Sequence, residues 1–200
     1  VTYANWRAHR KCPICEKETY IDNGLKVLPK KPKTYRVVGL DAATHTTGYS
    51  VFDGNTLINY GLFEVKTGEE VDRLIKIKNW LVCLIENWKP DLIVIEDIHL
   101  QDNTGFGRIA IPTFKALAKL QGVLDTPCKQ LGVDYLVVHS SVWREYNEIK
   151  GRSRQDKKRS AQLRVKEIYD MALTDDAAEA ICIGRYGAGK HKIKTEMIEW

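Results

Sequence analysis

Two short apolar runs, each closing on a carboxylate, constrain this chain more than any other feature. YRVVGLD ends at Asp41, and DLIVIE ends at Glu96. Short aliphatic, β-branched runs read as strands buried on both faces. A sheet buried on both faces needs helices on either side, so an α/β layer architecture follows. An ionised carboxylate closing such a strand is costly to bury unpaired. Two of them point to a role for negative charge at one end of a sheet.

The remaining patterns fill in that sheet. Thr47–Phe52 and Thr56–Val65 flank Asp53-Gly54-Asn55, a strong hairpin signal, so three strands form an antiparallel meander. Leu74, Ile77, Leu81, Leu84 and Trp88 predict a helix over Glu69–Trp88, stopped by Pro90. The strand Leu92–Glu96 follows, then a polar loop, Gln101–Arg108, and a helix over Phe114–Cys128. Tyr135–Val138 reads as a strand and Ser140–Tyr146 as a turn or short helix. Ile149–Gln155 reads as a basic loop, with helices over Asp156–Met171 and Asp176–Arg185. The expected fold is one mixed sheet with helices on both faces. Residues 1–34, with CPIC and a Lys/Pro run, form an N-terminal extension; 35–186 form the main domain, and 187–200 a basic tail.

A third acidic site opens the last helix. Asp176 and Glu179 are three apart and share a helix face. The same spacing fits a capping box, with Asp176 as N-cap. Asp97 follows Glu96, and strand alternation would turn it to the opposite face. If the fold gathers Asp41, Glu96, Asp176 and Glu179, their repulsion calls for a cation. Oxygen-only ligands suit Mg²⁺ or Mn²⁺. A pair of such ions is a device for phosphodiester hydrolysis.

Charge supports a nucleic-acid partner. The formal net charge is +5, and the basic residues cluster. Lys30, Lys31, Lys33 and Arg36 precede the first strand. Lys150, Arg152, Arg154, Lys157, Lys158, Arg159, Arg164 and Lys166 crowd one stretch, an electrostatic footprint for phosphates or else a solvated loop.

Five cysteines do not suggest a disulfide framework, because Cys83, Cys128 and Cys182 fall inside apolar stretches. Cys12-Pro13-Ile14-Cys15 has the spacing of half a zinc ribbon. Its other ligands would come from His9, His45, His99, His139, His191 or a second copy of the motif across a dimer. A reduced, metal-free pair is the alternative. No apolar run approaches the ~20 residues of a membrane span, and VTYANWRAHRKC has no apolar core of a signal peptide. A reducing, cytoplasmic setting is expected.

VVGLDAATHTTGY, then VIED, then TDDAAEAICIG resemble, in order, the motifs of the RuvC family of Holliday junction resolvases, within the RNase H-like superfamily. The resemblance covers about residues 35–186. It implies a five-stranded mixed sheet, three strands antiparallel and the rest parallel, flanked by helices. It implies Asp41, Glu96, Asp176 and Glu179 as catalytic ligands of two Mg²⁺ (or Mn²⁺) ions, with Asp41 shared. Lys157 and Lys158 fall where the family carries a catalytic basic residue, and Arg144 matches a Lys after the fifth strand. Lys150, Arg152, Arg154, Lys157, Lys158 and Arg159 would join Arg144 in binding DNA. The final family Asp is Glu179 here, with Asp175 as a possible substitute, and Ala43 replaces a usual Gly. His99 stands where an aromatic stacks on bases, with Phe106 as a second candidate. The implied activity is paired nicking of branched DNA by a homodimer, leaving 5′-phosphate and 3′-hydroxyl ends; the compact size suits a phage or mobile-element enzyme.

Rival readings differ in class. Asp41-Ala42-Ala43-Thr44 is somewhat like the phosphate loop of sugar-kinase or actin-like ATPases, yet that reading gives Glu96 no role. A non-catalytic DNA-binding protein would use the acids structurally. An RNA-processing or transposase-like nuclease stays within the same fold.

Overall fold

A computed structural model describes residues 34–98 and 111–198, with side chains through position 190. The expected zinc ligands Cys12 and Cys15, the base-stacking candidates His99 and Phe106, and the loop Gln101–Arg108 lie outside the described residues. The elements are β1 (Arg36–Asp41), β2 (Thr46–Asp53), β3 (Thr56–Glu64), α1 (Glu70–Trp88), β4 (Leu92–Glu96), α2 (Ile111–Gln130), β5 (Asp134–Val138), α3 (Ser140–Tyr146), α4 (Arg154–Tyr169) and α5 (Asp175–Ile198). The sheet order is β3-β2-β1-β4-β5. β1, β2 and β3 pair antiparallel, while β4 lies parallel to β1 and β5 parallel to β4.

Strand parity divides the core in two. Val38, Leu40, Ile93 and Ile95 pack against α1 and α2 through Leu81, Leu84, Leu120 and Leu124. Val37 and Val94 pack on the other face, against Ile181, Cys182 and Tyr186 of α5 and Ala161 and Val165 of α4. Counting by twos from Val37 and Val94 puts Asp41 and Glu96 on that second face, at one end of adjacent parallel strands. The same alternation thus hides the aliphatics and aims both carboxylates at α5.

Small residues let α5 approach the sheet closely. A Cβ on Gly39 would collide with the backbone of Gly184, and one on Gly48 with the carbonyl of Asp176. Gly48 pairs with Asp41 across β1 and β2. Ser50 donates its hydroxyl to the Ala180 carbonyl at 2.7 Å, between those two close contacts. The first turn of α5 is therefore seated directly beside the end of β1.

Several helix ends differ from the sequence expectation. α2 already includes Ile111, ahead of the expected Phe114. α4 starts at Arg154 rather than Asp156, because Ser153 and Asp156 form a capping box with bonds of 3.1 and 3.0 Å. α5 runs past Arg185 to Ile198; its apolar periodicity ends sooner than its helix-forming composition. Cys83, Cys128 and Cys182 are buried cysteines. Burial pushes the thiols of Cys128 and Cys182 up to about 12. Among the described residues, no helix is long and apolar enough to cross a membrane.

Candidate metal centre and nucleic-acid cleft

Asp41, Asp176 and Glu179 converge where β1 ends beneath the first turn of α5. Each offers a carboxylate oxygen, and the three oxygens lie within 4.8 Å of one another. Asp176 and Glu179 do not cap the helix. α5 begins at Asp175, so Glu179 lies in its second turn, and its carboxylate accepts from Arg144 at 3.3 Å. Glu179 is the most enclosed of the acids, with its side chain 5% exposed. Asp175 lies outside the three-residue cluster and pairs with Lys158 at 2.6 Å.

Glu96 joins the group through a shared cation. The Arg144 guanidinium reaches Glu179 at 3.3 Å and Glu96 at 3.7 Å. It lies 4.7 Å from the ring centre of Trp143, a fully buried anchor of α3. One Arg144 nitrogen, Nη2, donates a charge-assisted hydrogen bond to Glu179 and makes a looser ion pair with Glu96. Lys158 supplies a second cation, 3.1 Å from Asp176 and 3.9 Å from Glu179. The sequence assigned Arg144 to DNA; the structure directs its guanidinium to the acids.

Two cations do not neutralise this many acids, and burial makes the imbalance worse. Burial lifts Asp41 well above the usual carboxylate range, and repulsion from Glu179, Glu96 and Asp176 lifts it further. Burial raises Glu96 to about 7 against the opposing pull of Arg144. It raises Glu179 too, although Arg144 and Lys158 both pull it down. For these buried pairs, lost hydration outweighs the ion pair. Asp175, more exposed, is instead lowered by its hydrogen bond to Lys158. Burial works against the Lys158 charge, but its bonds to Asp175 and Asp176 raise it on balance.

Convergent, mutually repelling oxygens are the donor set that a hard divalent cation satisfies. The cluster has the composition and spacing to hold one. The sign of the pH effect follows. Carboxylates with raised folded-state values stabilise the metal-free fold at low pH, and that contribution fades as pH rises through those values, about 7 for Glu96. Cation binding needs the protons gone, so it strengthens over the same window. Mn²⁺ affinity measured by calorimetry is expected to rise about tenfold from pH 6 to pH 8 from the Glu96 titration alone. A flat profile would remove Glu96 from the centre.

The acids line a cleft of about 1180 Å³. Lys150, Arg152, Arg154, Lys157 and Lys158 line the same cleft, so the basic stretch and the acids face one space. Arg159 is not among the lining residues. The basic stretch is tied down, since the Lys150 amide donates to Ser160 Oγ at 3.0 Å. Asp97 also borders the cleft, contrary to the alternation argument, because β4 ends at Glu96 and parity stops there. Thr46, Ser140, Ser141, Glu145 and Glu148 line it as well, none of them singled out in the sequence, and so does His139, considered there only as a zinc ligand. The available signal was their place after a strand of the parallel half, where α/β sheets form crevices.

The five-stranded mixed sheet, with carboxylates at the ends of β1 and β4 and on a helix packed across them, is the architecture of RNase H-like nucleases. The family model described as crossover junction endodeoxyribonuclease RuvC matches residues 37–184, and the chain belongs to that family. A RuvC from Thermomicrobium roseum is 24% identical over 155 residues, covering 74% of this chain and 89% of its own. A RuvC from Geotalea uraniireducens is 33% identical over 73 residues, covering 34% of this chain and 43% of its own. The Geotalea match, like that to Prochlorococcus marinus RuvC, therefore spans less than half of the relative's length. The fold is shared with Thermus thermophilus RuvC solved with a Holliday junction substrate. Its TM-score is 0.64 at 13% identity, over 80% of this chain and 96% of that one. The yeast mitochondrial Holliday junction resolvase superposes with a TM-score of 0.53 at 14% identity, over 80% of this chain and 85% of that one.

Proposed function

We propose that this chain is a divalent-metal-dependent endonuclease that resolves four-way DNA junctions by paired nicking. The observation that carries this reading is the convergence of Asp41, Asp176 and Glu179 in a cleft that Lys150, Arg152, Arg154 and Lys157 also line. Family membership and the junction-bound RuvC of the same fold support the substrate. Asp41, Asp176, Glu179 and Glu96 hold Mg²⁺ or Mn²⁺, two ions to a site. When bound, the ions acidify water for attack on phosphorus and neutralise charge on the leaving oxygen. Arg144 orients Glu179 and offsets the charge of Glu96, and Lys158 pairs with Asp176 in the metal-free centre. Lys150, Arg152, Arg154 and Lys157 bind backbone phosphates, a sequence-independent contact that weakens with salt. His99 and Phe106 are the proposed base-stacking residues.

Paired nicks need two centres, so the active species is a homodimer. The nuclease unit begins at residue 35, with 1–34 as an extension; the expected boundary at 186/187 falls inside α5, where Ala188 is still part of the core. Cys12 and Cys15 are proposed as zinc ligands, and zinc near one-half per chain would mark a site shared between two copies.

The deciding experiment presents four-way junction, linear duplex and RNA–DNA hybrid to the protein with Mg²⁺ in parallel. Symmetric nicking of the junction, with 5′-phosphate and 3′-hydroxyl ends, is expected. Preference for the hybrid would replace this reading with an RNA-processing nuclease. Tight junction binding without any cleavage would leave a DNA-binding protein.

A further inference from the structure

Lys158 sits where a metal ion would be expected to draw its ligands. Its ammonium is 2.6 Å from Asp175, 3.1 Å from Asp176 and 3.9 Å from Glu179. Two of those partners, Asp176 and Glu179, belong to the carboxylate cluster with Asp41. The third, Asp175, does not.

We propose that Lys158 is the resident counter-ion of the metal-free centre, competing directly with divalent ions for Asp176 and Glu179 and so setting the ion concentration at which the centre loads. The proposal rests on reading Asp41, Asp176 and Glu179 as metal ligands. Asp175 makes the exchange cheap. It holds the closest contact to the ammonium from outside the cluster, so Lys158 keeps a partner when an ion takes the other two. The backbone under Lys158 is fixed by the Ser153–Asp156 capping box and by Ala161 and Val165, both buried against α5. The exchange is therefore confined to a flexible four-carbon stem.

Lys157 separates direct competition from a general loss of positive charge. It is the neighbouring residue, carries the same charge and lines the same cleft, yet it takes part in none of these ion pairs. Long-range charge is screened by solvent and salt, whereas a contact at about 3 Å is screened little.

The test is Mn²⁺ binding measured by calorimetry, without DNA, on wild type, Lys158→Met and Lys157→Met. Lys158→Met is expected to tighten Mn²⁺ about tenfold, and Lys157→Met less than about twofold. Equal tightening in both variants, or none in Lys158→Met while wild type binds, overturns the competition. No Mn²⁺ binding by wild type overturns the metal centre itself, and the competition with it. If Lys158→Met does not fold, the wild-type protein carries the test through the lysine ¹³Cε resonance of Lys158. That resonance is expected to shift as Mg²⁺ is added, and a saturating Mg²⁺ titration that leaves it unmoved overturns the proposal.

Discussion

Asp41→Asn is expected to lower cleavage of junction DNA by at least about a thousandfold, with junction binding retained. The substitution keeps shape and hydrogen-bonding capacity but removes the one carboxylate supplied by the sheet to the three-residue cluster. The basic residues that line the cleft are untouched, so phosphate binding survives. Stability should move the opposite way. The buried Asp41 carboxyl is held well above the usual range by burial and by Glu179, Glu96 and Asp176. Ionising it in the metal-free protein therefore works against the fold as pH rises, and asparagine removes that penalty. Thermal unfolding in chelator at pH 8 should show Asp41→Asn melting above wild type. Single-turnover cleavage at the wild-type rate in Mg²⁺ would remove Asp41 from the centre.

Gly48→Ala is expected to cost about 1–3 kcal/mol of stability, as overpacking does, and about a hundredfold in cleavage. Its new Cβ would meet the Asp176 carbonyl and stand 3.1 Å from the Ala180 Cβ. β2 is hydrogen-bonded on both sides, with Gly48 opposite Asp41 and Leu62, so the strand has little room to yield. The first turn of α5 would lift instead and carry Asp176 away from Asp41. Gly54→Ala is the control. Gly54 has φ +57 with open space around it, so alanine there strains only the turn. Denaturant unfolding should show a cost for both variants, while cleavage should fall in Gly48→Ala alone. Equal loss of cleavage in the two would mean that the glycine seat does not position the centre.

The sheet was legible because its signals are local. Alternation, aliphatic runs and Asp53-Gly54-Asn55 specify β1, β2 and β3, and the strands closed by Asp41 and Glu96 end where the sequence placed their ends. The acidic site was legible only in outline. A three-residue spacing cannot say whether Asp176 and Glu179 cap a helix or face a sheet; that depends on where α5 starts and what lies across from it. Nor does spacing tell that Glu179 lies with Asp41 and Asp176 while Asp175 pairs with Lys158, seventeen residues from it in sequence and 2.6 Å from it in space. The sequence does not reveal that the end of α3 meets the second turn of α5, so the pairing of Arg144 with Glu179 was not legible, although Arg144 does line the cleft. The seat formed by Gly39, Gly48 and Gly184 left no sequence pattern, since each glycine matters only for the backbone packed against it.

The buried thiols have a consequence of their own. Cys128 lies with the α1 and α2 layer and Cys182 with the α4 and α5 layer, on opposite sides of one sheet. Neither is accessible in the folded protein, and burial holds both far from the reactive thiolate. Each becomes modifiable only when its own layer opens. The chain thus carries two built-in clocks, one reporting on the scaffold layer and the other on the layer that bears Asp176 and Glu179.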